Sequence, residues 1–101
     1  MRTKTFEYFN RLRNVRDDFP PFVSNVIFFG SEVYGSPTLY SDIDIAVEVS
    51  DNLSRQRKDA VYDIFDLHEP PYDYHLVWIE KGEYRKGFDV RKDIYEKGWY
   101  L

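Results

Sequence analysis

Apolar residues recur every third position through Phe6, Phe9, Leu12 and Val15, which predicts an amphipathic helix over residues 5–16. Asp17-Asp18-Phe19-Pro20-Pro21 stops it, because a proline pair cannot continue a helix. Next come two β-branched and aromatic runs, residues 22–29 and 43–49, that read as strands. Between them lies a loop carrying Gly35 and Pro37, where Gly35 is expected to serve a backbone shape the loop needs. Ser50, Asp51 and Asn52 are N-cap candidates for a helix over residues 53–68, with Ala60, Val61, Ile64, Phe65 and His68 as its buried face. Pro70 and Pro71 end that helix, and residues 72–80 alternate as a third strand. Its Tyr72, Tyr74, Leu76 and Trp78 form the expected core face, leaving Asp73, His75, Val77 and Ile79 on an open one. After a turn at Lys81-Gly82-Glu83, a last helix over residues 88–97 closes at Gly98. The predicted fold class is α/β (α+β): a small mixed sheet of three to four strands with helices on one face.

The polar positions that interrupt this pattern carry the chemistry. The first strand ends at Gly30-Ser31, and ten residues later the second opens as Asp42-Ile43-Asp44. Alternation puts Asp42 and Asp44 on one face, with Ile43, Ile45 and Val47 on the other. Two carboxylates side by side on an apolar strand are costly without a cation and suit a hard divalent metal such as magnesium. Gly30 lets the backbone approach a ligand, and Ser31 adds a hydroxyl and an N–H at the mouth of a turn, the groups that cradle phosphate. An EF-hand reading of the acid pair fails at its sixth position, which is Val47 rather than glycine. Zinc at His68 and His75 has neither cysteine nor ligand spacing to support it, and His75 reads as a polar surface residue.

Gly-Ser, ten residues, then Asp-x-Asp resembles the signature of the DNA polymerase beta-like nucleotidyltransferase superfamily. Phe29-Gly30-Ser31 through Ser41 to Val47 is most similar to its smallest branch, the minimal nucleotidyltransferases. The resemblance implies a polymerase beta palm-like fold in which Gly30 and Ser31 bind the triphosphate. It implies further that Asp42, Asp44 and Asp73 are catalytic and hold two Mg²⁺ ions, Asp73 being the third acid, after the intervening helix. Metal ions about 4 Å apart clamp the attacking and leaving oxygens along one line. The branch also implies a helical HEPN-type partner in a toxin–antitoxin pair, with AMP passing from ATP to a tyrosine of that partner. This chain departs from the branch at Glu32 and Tyr34, where arginines are usual. Lys58, Arg55, Arg57, Arg85 and Lys86 are candidates to supply the missing positive charge.

Bulk properties narrow the choice of partners. The chain has 101 residues and 43% hydrophobic content, which fits one nucleotidyltransferase domain over residues 1–101. No run is apolar enough for a membrane span or signal peptide, and the absence of cysteine excludes disulfide and thiolate chemistry, so a cytoplasmic location is the default. A net charge of −4 argues against a broad nucleic-acid surface. An aromatic content of 19% is either core filling or a partner-binding surface. No part of the chain is left over to hold an acceptor, so a partner protein or a second copy of the chain is expected to do so. The rival reading is a nucleotidyltransferase-like module that neutralises its partner by contact alone, and a weaker one is transfer to a free small molecule.

Overall fold

The computed structural model describes residues 1–50, 53–81 and 90–101, with side chains from residue 92 onward in the last stretch. Helix α1 (Thr3–Asn14) is followed by a single 3-10 turn at Arg16–Asp18 and strand β1 (Val23–Phe29). A one-turn helix, α2 (Ser31–Tyr34), precedes strand β2 (Ile43–Val49). Helix α3 (Arg55–Leu67), strand β3 (Tyr74–Glu80), helix α4 (Val90–Lys97) and strand β4 (Trp99–Tyr100) complete the order. The sheet runs β3-β2-β1-β4. It is mixed: β1 is antiparallel to β2 and β4, while β2 and β3 are parallel, as a crossover through α3 requires.

The main core lies on one face, where Ile43, Ile45, Val47 and Val49 of β2 meet Phe28, Leu76, and the helical residues Tyr8, Phe9, Leu12, Val61 and Phe65. Tyr8 is fully buried and donates its hydroxyl to the Phe65 carbonyl at 2.8 Å, tying α1 to α3. Burial pushes that phenol's pKa far up. Most of the aromatic core is phenylalanine, with Phe9, Phe19, Phe28 and Phe65 joining Tyr8, whereas Tyr40, Tyr62 and Tyr100 are exposed.

The structure sharpens several expectations. Helix α1 begins earlier than its spacing suggested, and Phe6 is exposed, because Thr5, Tyr8, Phe9 and Leu12 make the inward face. Ser54 caps α3 by accepting from the Arg57 N–H at 3.2 Å, Ala60 is exposed, and Asp51 and Asn52 lie outside the described residues. Gly82, Glu83 and Phe88 also lie outside them, so the turn after Lys81 and the start of the last helix are not described. Gly35 has φ −135° and needs no glycine-specific conformation.

The face expected to be open is open only at one end. Helix α4 packs there, and Ile94 with Ile27, Ala46 and Ile79 forms a second cluster that Val77 and Tyr95 border. The helices therefore divide, α1 and α3 on one face and α4 on the other. No helix among the described residues is long and apolar enough to cross a membrane.

Candidate active site at the β1–β2 end

Four of the proposed site residues, Gly30, Ser31, Asp42 and Asp44, collect where β1 ends and β2 begins, since antiparallel pairing sets Phe29 opposite Asp44. Gly30 follows with φ 75° and ψ −153°, a region that side-chain-bearing residues scarcely enter. A Cβ at Gly30 would also collide with the Asp44 carboxylate. Glycine is therefore doubly required, and Gly30 and the second acid lie against each other. The Gly30 carbonyl accepts from Val33 and Tyr34 N–H at 3.0 and 2.8 Å, turning Ser31–Tyr34 into the single turn of α2. The N–H groups of Ser31 and Glu32 precede those bonds, as first-turn donors do.

Asp42 is exposed and Asp44 is half-buried, its side chain 33% accessible. Parallel pairing sets His75 beside Asp44, with Nδ1 to Oδ1 at 4.0 Å. Burial raises the Asp44 pKa above the ordinary aspartate value; the charge of His75 works against the rise and that of Asp42 adds to it. Asp73 lies just before β3 and its carbonyl accepts from the Ile43 N–H at 2.8 Å, which binds the two strand starts together. Its side chain is exposed. Among the described residues, no three His, Asp or Glu side chains converge on one metal position. The structure thus brings Gly30, Ser31, Asp42 and Asp44 to one sheet end and the Asp73 backbone beside them, without gathering all three carboxylates. The donor set fits a hard cation: oxygen ligands, mutually repelling, with only a histidine contact at 4.0 Å.

Glu32 does not face the clasp as a free charge. It is fully buried and held by Arg2, whose Nε donates to Oε1 and whose backbone N–H donates to Oε2 at 2.9 Å. Tyr34 donates its hydroxyl to the Asp93 carbonyl at 2.9 Å, linking α2 to α4. The candidate compensating bases on α3 lie elsewhere. Arg57 stacks over Phe22 and Lys58 over Trp78, on the helix that leaves the far end of β2, and Arg85 and Lys86 are outside the described residues. Ser41 spends its hydroxyl locally, accepting from the Thr38 N–H at 2.9 Å. Arg2 is the residue that sequence reasoning missed. Its only sequence signal is an acid, Glu32, that no neighbour in the chain neutralises.

A search of curated proteins finds no match. Among solved structures, the chain is similar to a crystal structure of a toxin–antitoxin MntA–HpeT mutant. Identity is 21% and the TM-score 0.52, over 90% of this chain and 69% of that one, which supports the fold. The family model for the nucleotidyltransferase domain matches residues 10–101, from α1 through the clasp, the acid pair and β4, and the chain belongs to that family.

Proposed function

We infer that this chain is a Mg²⁺-dependent nucleotidyltransferase that moves a nucleoside monophosphate, AMP from ATP, to a hydroxyl acceptor on a partner protein. The observation that best supports the reading is the close approach of Gly30 to the Asp44 carboxylate, the turn we assign to phosphate beside an acid we assign to metal. Asp42 and Asp44 would hold the metal ions, and Asp73 supplies the third carboxylate. When bound, the ions neutralise the triphosphate and fix the attacking and leaving oxygens. The chain's own work is positional. Gly30 and Ser31 hold the β- and γ-phosphates, leaving the α-phosphorus in front of the acid pair. The acceptor hydroxyl oxygen forms a bond to that phosphorus, the bond to the bridging oxygen breaks, and pyrophosphate departs. Asp73 draws off the hydroxyl proton. The similar MntA–HpeT protein is a toxin–antitoxin pair carrying two Asp-to-Glu changes two positions apart, the spacing of Asp42 and Asp44. That supports a toxin-type partner protein here, and a tyrosine of a HEPN-type toxin is the acceptor that the resemblance to the minimal branch implies.

The second reading, neutralisation by contact alone, has its own support. Glu32 and Tyr34 replace the usual arginines, and Arg2 is committed to Glu32, Thr38 and Ser41. The deciding experiment incubates the protein with α-³²P-ATP and Mg²⁺ in lysate of its host. A labelled protein seen with wild type and lost with the Asp42→Asn, Asp44→Asn double variant establishes transfer. Equal labelling by both proteins would sink the assignment. No labelling, together with partner neutralisation that survives the double substitution, would favour the contact-only module.

A further inference from the structure

Arg2 touches all three chain segments from which the site is built. Its Nε bonds Glu32, the residue after Ser31. Its Nη2 donates to the carbonyl of Ser41, the residue before Asp42, at 2.7 Å, and its Nη1 donates to the Thr38 carbonyl at 3.1 Å. The guanidinium carbon lies 3.6 Å from the ring centroid of Tyr72, the residue before Asp73. The contacts to Glu32, Ser41 and Tyr72 therefore each fall one residue from a proposed site residue. The side chain is only 14% exposed and its Glu32 partner is inaccessible, so the pair is shielded from water, where such bonds are strongest.

We propose that Arg2 is a positioning residue: its guanidinium sets the spacing of the phosphate clasp, the acid pair and Asp73. The proposal rests on the nucleotidyltransferase reading above. Only arginine has the required shape. Its planar fork offers donors in fixed directions to Glu32, Thr38 and Ser41 while its face stacks on Tyr72, whereas lysine keeps the charge as a single point. Among the described residues, the other hydrogen bonds of the loop between α2 and β2 are short-range ones around Thr38 and Ser41. Arg2 is thus its long-range tether to the clasp, and Ser41 is the last residue before Asp42.

The test uses Arg2→Lys, which keeps a cation beside Glu32 and removes the fork. Arg11→Lys is the control. Arg11 also clamps two carbonyls, those of His68 and Glu69 at 3.2 and 3.1 Å, neither of them adjacent in the chain to a proposed site residue. Both variants are assayed well below their thermal midpoints, for kcat and KM of transfer and for Mn²⁺ affinity in the presence of a non-hydrolysable ATP analogue. Arg2→Lys should lower kcat and Mn²⁺ affinity by roughly 10- to 100-fold, as loss of a group that orients metal ligands does. Arg11→Lys should leave both unchanged. If Arg2→Lys does not fold, Arg2→Gln with Glu32→Gln avoids an unpaired buried charge and should show the same loss. Wild-type kcat and Mn²⁺ affinity in the folded variant overturn the proposal and leave Arg2 as an anchor only. A wild-type protein that neither binds the Mn²⁺–nucleotide nor transfers overturns the parent reading instead, and the positioning role falls with it.

Discussion

Strand β2 carries Asp44 and Glu48 on the same face, four residues apart, and the fold treats them in opposite ways. Glu48 is buried, and its two oxygens accept from Asn25 Nδ2 at 2.9 Å and from the Tyr95 hydroxyl of α4. Asp44 stands where the cover of α4 has ended. Among the described residues it accepts no hydrogen bond, faces His75 at 4.0 Å, and has a raised pKa. Glu32, the other buried acid, is satisfied by Arg2 as Glu48 is by its neighbours. A buried carboxylate with all its partners is part of the framework. One brought close to a backbone glycine and, among the described residues, left without donors is what the proposed reading expects of a ligand-binding acid.

The contrast is broken most directly by neutralising each acid in turn. Asp44→Asn should lower transfer by more than the roughly 100-fold typical of losing an outer-shell partner of a metal. Glu48→Gln, which keeps an acceptor for Tyr95, should leave transfer within a fewfold of wild type. Steady-state rates with labelled ATP decide it, and comparable losses at both positions would erase the distinction between framework acid and ligand acid.

The framework acids should dominate stability instead. Arg2→Ala strands the inaccessible Glu32 carboxylate, and loss of one partner of a buried pair costs about 3–5 kcal/mol. Against a total of roughly 5–15 kcal/mol, that is enough to depopulate the fold under mild denaturant. Arg2→Ala with Glu32→Leu should recover much of the loss, since the unpaired charge is gone. Chemical denaturation midpoints of the two variants measure the difference. Asp44→Ala, by contrast, removes a group that has no hydrogen bond to lose.

The same division explains what could be read from the sequence. The acid pair was legible because β2 alternates: Ile43, Ile45 and Val47 had to share the buried face, so Asp42 and Asp44 had to share the other. Gly30-Ser31 was legible because it ends an apolar run. Helix α2 was hidden because one turn has no period to detect, and β4 because a two-residue strand exists only through its pairing with Ile27 and Phe28. Arg2 was hidden for a stronger reason. It meets Glu32 across thirty residues of chain, and no periodicity links two such positions. The one-sided cover of helices was expected from the polar start of β3, yet Val77 and Ile79 further along already marked the face that α4 occupies. Sequence patterning reports which face a residue takes, and much less about how far along a strand the cover extends.

The smallest expected effect concerns the protein without metal. Burial raises the Asp44 pKa, so folding favours its neutral form. The sign follows from linkage: the contribution is full below the ordinary aspartate value and is lost as pH rises through the raised folded value. In the presence of a chelator, Asp44→Asn should therefore melt above wild type at pH 7. The gap should be a few degrees at most, because the carboxylate is a third exposed and about 1 kcal/mol moves a domain of this size by roughly 4–8 °C. As pH falls below the aspartate range the gap should close, since wild type then carries a neutral group there as well. Adding Mg²⁺ with nucleotide at pH 7 should reverse the order, stabilising wild type alone by mass action. The equivalent titration of Glu48→Gln should show no such reversal. If it did, the ligand would be reaching the covered half of the face, and the boundary that α4 draws across β2 would lie somewhere other than between Asp44 and Ala46.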